Sequence, residues 1–221
     1  ELAALVATVR AAQRWEHRHG VCGAVARLCE PPRAAAIVAL SDAAAADLYA
    51  ALGEQIRHSH PESSATPAVT RAANSAAAAA LTNLTLARTS GASAATAAAV
   101  VGEHLVPELK FLLGAREPIM LDAGGVTMQR VLSARPESIA PHRAALLMLL
   151  YKNRFHASGP VRDSAVRNWS AALHGEEAKF VAEHAVVLAE GLRNDASDSN
   201  VDVREAAFRG LDELLSQRHD A

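Results

Sequence analysis

Aromatic side chains supply only 4% of this 221-residue chain, and lysine occurs three times, at Lys110, Lys152 and Lys179. Few aromatic and β-branched clusters leave few positions that favour strands. No sign of charge dominates either: 22 basic and 24 acidic residues give a net charge of −2. That balance excludes the basic footprint of a nucleic-acid-binding domain. No stretch of 18 uncharged apolar residues exists, so no segment reads as a membrane-spanning helix. The two cysteines, Cys22 and Cys29, lie seven apart. On one helix they would stand roughly 10 Å apart, beyond disulfide reach. No further soft ligands lie nearby to make a metal site. Two buried free thiols in a reducing, cytoplasmic compartment are the expectation.

Alanine, leucine and valine dominate an apolar fraction of 50%. That excludes a disordered chain, and at this length about 70% of the unfolded surface can be buried. The N-terminus, ELAALVATVRAAQ, has no starting methionine and is already amphipathic, so the chain reads as one domain over 1–221 from a longer protein.

Helical periodicity recurs throughout. Leu2, Leu5, Val6 and Val9 form one stripe in a helix expected to reach Gly20, and VCGAVARLCE is a shorter piece ended by Pro31 and Pro32. Ser41 or Asp42 is a plausible N-cap for the next long helix. Residues 59–67, SHPESSATP, read as a loop. A long helix starts at Pro67. Another breaks near Val106-Pro107, since proline disfavours the α conformation in the residue before it. Gly124-Gly125 is expected to form a turn between helices. HRAALLMLLYKNRFHA is the most apolar helix, and three more follow it. Nothing alternates with period two, so the chain is expected to be all-α.

Near the C-terminus one pattern is written twice. GPVRDSAVRNWSAAL and NVDVREAAFRGLDELL align at an offset of 42, matching Val161 to Val203, Arg162 to Arg204, Ala165 to Ala207 and Trp169 to Leu211. A complete helix lies between the copies, so the unit is two helices, within the 40–47 residue period of helical-repeat arrays. Val203, Ala207, Leu211 and Leu214 share one face. Glu205 and Arg209 stand four apart as an exposed ion pair, and Asp202 with Glu205 suggests a capping box.

DVREAAFRGLDELL resembles the second helix of a HEAT repeat, where Asp-x-x-Val-Arg-x-x-Ala is typical. The matching positions are Val203, Arg204 and Ala207, and in the earlier copy Val161, Arg162 and Ala165. The resemblance implies that Arg162 and Arg204 bridge to a neighbouring repeat. Upstream, Ala80, Leu81, Asn83 and Leu84, followed by Val106, Pro107, Leu109, Leu112 and Leu113, are similar to an armadillo repeat. Together these imply an α-solenoid: an armadillo/HEAT-like right-handed superhelix of about five repeats.

Chemistry-bearing patterns are sparse. Gly124-Gly125 lacks the lysine and the preceding strand of a phosphate loop. Ten histidines are scattered without a His-x-x-x-His metal pattern. NDASDSNVD lacks the glycine and terminal glutamate of a calcium loop. The sequons at Asn83 and Asn168 fall inside helical patterns. No enzyme activity, metal or cofactor is expected.

Such arrays bind partners along one continuous surface. The expected function is therefore a non-catalytic protein–protein interaction scaffold, without nucleic acid, membrane or small-molecule substrate. Arg14, Trp15, Arg18, Tyr49, Lys152, Arg154, Arg162 and Arg167 are the candidate contacts, because Trp, Tyr and Arg dominate interface energetics. Trp169, aligned with Leu211, is expected in the core. One alternative is a TOG-like, tubulin-binding domain, using the Lys152-Asn153-Arg154 turn. Another is a helical regulatory subunit or a metal-dependent HEAT-repeat enzyme, echoed in GEH at 102–104 and AEH at 182–184. A chaperone or transport factor is a further possible partner.

Overall fold

The computed structural model describes residues 2–30, 33–58 and 67–219, and among them all regular structure is helical. The helices are α1 (Leu2–Ala11), α2 (Trp15–Leu28), α3 (Ala34–Val38), α4 (Asp42–Ile56), α5 (Pro67–Thr89), α6 (Ala94–Val100), α7 (Val106–Leu113), α8 (Pro118–Ala134), α9 (Arg143–Asn153), α10 (Gly159–Leu173), α11 (Glu177–Asp195) and α12 (Val201–His219). No described helix is long and apolar enough to cross a membrane. Pro31, Pro32 and the expected loop at 59–66 lie outside the described residues.

The first helix is not continuous to Gly20. It ends at Ala11, and α2 begins at Trp15 after an extended Arg14. A residue of α4 secures this break: the Gln55 side-chain amide donates to Val9 O at 2.9 Å and Ala12 O at 3.4 Å. Terminal carbonyls of a helix need such partners. The expected cap at α4 is present, with Ser41 Oγ accepting from Ala44 N at 3.3 Å.

Between α6 and α7 the helix widens rather than stopping. Residues Val101–Leu105 form a π-turn in which Val106 N–H donates to Val101 O, five residues back. Pro107 has no N–H to continue the i→i−4 ladder, which accounts for the widening at this point. A 3-10 segment, Pro136–His142, leads into α9.

The expected turn at Gly124-Gly125 is absent, and α8 runs straight through both glycines. The reason is packing. A Cβ at Gly124 would lie 3.0 Å from Leu112 Cβ, and one at Gly125 only 2.3 Å from Ser164 Oγ. The glycines let α7 and α10 approach α8, and Asn168 Nδ2 donates to Gly125 O at 2.9 Å.

Packing follows a succession. Helix α2 lies on α5, α5 on α8, and α8 on α10; α4, α7 and α9 pack against α5, α8 and α10 respectively. At the C-terminal end α12 packs mainly on α11 and α9 rather than beside α10. The two matched segments therefore meet different neighbours. Helix α10 buries Val161, Ala165, Trp169, Ala172 and Leu173, whereas α12 buries Ala207 and Leu214 and leaves Phe208 and Leu215 exposed. Gly210 allows the close approach expected of it, its Cβ position lying 2.9 Å from Leu192 Cδ2. The Glu205–Arg209 pair forms, but Asn200 rather than Asp202 caps α12, its Oδ1 accepting from Asp202 N at 2.8 Å.

Cys22 and Cys29 are buried free thiols, burial pushing them up to about 11 and about 12. Both sequon asparagines are buried in helices, Asn83 Nδ2 donating to Ala26 O at 3.0 Å.

Candidate functional site

The residues expected to meet a partner divide into buried, engaged and exposed groups. Arg18 is fully buried, so it is not a surface contact. Its Nε donates to Gln55 Oε1 and its Nη2 to Gln55 O, both at 2.7 Å, and Nη2 also reaches Asn74 Oδ1. It braces α2 against α4 and α5. Tyr49 is buried as well, which removes it from any flat outer face. Trp169 is core, as expected. It stands edge-on to Tyr151 and Phe180, at centroid distances of 5.3 and 5.4 Å.

The Lys152-Asn153-Arg154 turn is engaged within the fold. Lys152 pairs with Asp195 at 2.7 Å and Arg154 with Glu213 at 2.9 Å. The Arg154 guanidinium also lies 5.1 Å from the Tyr151 and Trp169 ring centres and 5.5 Å from that of Phe155. Arg162 reaches back to His156 O at 3.2 Å and Arg204 to Asp198 O at 2.7 Å. Neither bond is the bridge to a neighbouring repeat implied by the HEAT resemblance; each closes its own leading turn. Trp15 is half-buried. Arg14, paired with Glu16 at 3.4 Å, and Arg167 remain exposed.

A polar cleft of about 750 Å³ opens between α4, the π-turn and α7. Its floor is Tyr49, stacked on His104 with ring centroids 4.1 Å apart and planes 6° from parallel. The Tyr49 hydroxyl faces Thr85 without completing a hydrogen bond, and burial pushes the phenol up to about 12. Burial also lowers the His104 pKa, so the imidazole is held neutral near pH 7. Across the cleft the Glu108 side chain is only 9% exposed. Its Oε1 accepts from Arg57 Nη2 at 2.7 Å, and its Oε2 is buried with no hydrogen-bond partner among the described residues. Burial raises the Glu108 pKa, and Arg57 offsets part of that rise. Gly53 makes the room, since a Cβ there would lie 3.1 Å from Glu108 Oε1. Arg57 itself is half-exposed and lies 5.7 Å from the Phe111 ring centre.

The described lining of this cleft holds no Ser, Thr or Cys nucleophile. It supplies an exposed cation, a half-satisfied carboxyl and an aromatic floor. Sequence reasoning missed it because Glu108 and Arg57 lie 51 positions apart. The local signals were the Val106-Pro107 break, Tyr49 and the GEH at 102–104, none of which points to Arg57 or Glu108.

A second surface is apolar. Along α11 and α12, Val186 (65% exposed), Val187, Val201, Phe208 (59%) and Leu215 (60%) face outward. A groove of about 440 Å³ between the two helices is lined by Ala185, Val186, Ala189, Leu211, Leu214 and Leu215, with Glu190 and Arg193 beside it. The GEH and AEH echoes do not converge on a metal. His104 stacks on Tyr49 and His184 on Phe180, and among the described residues no three His, Cys, Asp or Glu side chains cluster.

No protein-family model matches the sequence, and no curated protein matches it. Among solved structures, the crystal structure of an engineered protein is similar at 16% identity. The match covers 98% of this chain and 97% of that one, with a TM-score of 0.44.

Proposed function

We propose that the chain is a non-catalytic protein–protein interaction scaffold, built as an armadillo/HEAT-like stack of helix pairs. The observation that carries this reading is the outward-facing apolar run on α11 and α12. Val186 and Leu215 stand more than half exposed at one groove, and Phe208 is exposed on the same helix as Leu215. Contiguous apolar surface of this kind favours burial against another protein.

The succession α2, α5, α8 and α10, each helix packed on the one before, supports the stacked-pair reading. The buried free thiols support a reducing, cytoplasmic setting. A tubulin-handling role is less well supported, because Lys152 and Arg154 already hold intramolecular carboxylates. The helical regulatory-subunit reading and the metal-enzyme reading find no comparable surface feature.

The test is affinity capture with mass spectrometry, comparing the parent with Val186→Glu/Leu215→Glu. Partners retained by the parent and lost by the double variant are expected. An identical set of partners from both proteins would refute the reading.

A further inference from the structure

Helices α11 and α12 form a hairpin that is apolar on two faces. The inner face buries Phe180, Val181, Leu188 and Leu192 of α11 and Ala207 of α12. The outer face carries the groove, where Val186 and Leu215 stand exposed beside Ala189 and Leu211. A helix that is apolar on both sides is normally covered on both.

The charges on the outer face say what fits it. On α11, Glu183, Val186, Glu190 and Arg193 follow one another at intervals of three, four and three residues, so they share one stripe. All four are exposed. Glu183 stands at one end and Arg193 at the other, about 15 Å apart along the helix axis. Neither forms an ion pair among the described residues. Lys179, one turn before Glu183, is held by Glu176 at 3.2 Å.

A stripe that is negative at one end and positive at the other complements itself when inverted. Residue 188 is the midpoint of Glu183 and Arg193. Two such helices laid antiparallel about an axis level with it bring each Glu183 to the other copy's Arg193, which makes two ion pairs. The apolar residues of the groove lie between the charged ends and are covered together. Glu190 falls opposite Val186 of the second copy, where its exposed carboxylate turns outward to water.

We propose that this face binds a second copy of the chain, forming a two-fold symmetric dimer through α11 and α12. Closed two-fold dimers are the commonest soluble oligomers, and their interfaces must complement themselves. A partner charged with one sign would satisfy one end of the stripe and oppose the other. A second copy satisfies both. The inference rests on reading the α11–α12 surface as a protein-binding face, and it names the occupant.

The test is sedimentation equilibrium over a dilution series reaching about 0.5 mM protein, with the charged ends reversed singly and together. The parent is expected to dimerise. Glu183→Arg sets two cations against each other and Arg193→Glu two anions, so each should weaken the dimer about tenfold. Glu183→Arg/Arg193→Glu restores both pairs in the opposite sense and should return to within about threefold of the parent. An equimolar mixture of the two single variants should pair more tightly than either alone. Should one reversal lose its helical circular dichroism, Glu183→Gln or Arg193→Gln takes its place, with a weakening of about threefold.

A parent that stays monomeric throughout the series overturns the proposal. So does a dimer indifferent to the single reversals, or one that the combined reversal does not restore. A monomeric parent whose captured partners are still lost on Val186→Glu/Leu215→Glu ends the dimer and leaves the scaffold reading standing. A charge-dependent dimer with unchanged capture does the reverse.

Discussion

Arg162 and Arg204 make the same bond in two places: each Nη1 donates to the carbonyl oxygen six residues before it, His156 O in one case and Asp198 O in the other. The 42-residue pattern thus encodes a local device, an arginine that closes the turn entering its helix. Replacing either by Met should cost about 1 kcal/mol, the usual worth of one such hydrogen bond. Urea unfolding of Arg162→Met and Arg204→Met would show it. A loss below about 0.3 kcal/mol in both would remove the device.

Glycines in this fold serve opposite ends. Gly20 is exposed within α2, and its Cβ position meets nothing within 4 Å, so Gly20→Ala should stabilise by about 0.5–1 kcal/mol. Gly125→Ala should destabilise by about 1–3 kcal/mol through overpacking against Ser164. Adding Ser164→Ala should recover part of that loss, because the hydroxyl is the nearest obstacle. Thermal melts of the three variants suffice. A neutral Gly125→Ala would contradict the packing account.

Glu108 sets a pH dependence. Its folded pKa is raised above the ordinary 4.5, so its neutral form is favoured in the fold. Stability from this group is complete below the ordinary value and is lost as pH rises through the raised one. Glu108→Gln should therefore gain on the parent between pH 4 and pH 7. Denaturation midpoints of both proteins across that range would check the sign, and a gap moving the other way would reject it.

His104 and His156 act in the opposite sense. Both are lowered from 6.5 by burial, so their contribution is present above that value and is lost as pH falls through the lowered one. Acid unfolding should begin below about pH 6.5, and His104→Phe, which keeps a ring against Tyr49, should flatten that part of the curve. A curve unchanged in slope would show that His104 does not contribute.

Arg154 is a structural clamp. Arg154→Ala removes the Glu213 pair and the contacts to the Tyr151, Phe155 and Trp169 rings, and should cost about 1–2 kcal/mol by chemical denaturation. An effect within about 0.5 kcal/mol would mark it as an ordinary surface residue.

Where the sequence misled, it did so for one reason. The Gly124-Gly125 pair and the stripe through Gly20 were judged from their neighbours in the chain. In the fold, Ser164 and Leu112 decide the first and Gln55 the second. Arg18 was expected as a surface contact because arginine is among the residues that dominate interface energetics, yet three oxygens from α4 and α5 receive its N–H groups. None of these partners is close in sequence.

Periodicity and composition alone determined that this chain is helical, where most helices start and that the two thiols stay apart. Those properties depend on spacing of a few residues, which a linear text records directly. Which helices touch, that Arg18 and Tyr49 are enclosed, and that Arg57 and Glu108 meet in one cleft were decided only by tertiary structure. Burial and hydrogen-bond partnership depend on groups 40 or more positions away, and no local pattern carries that information.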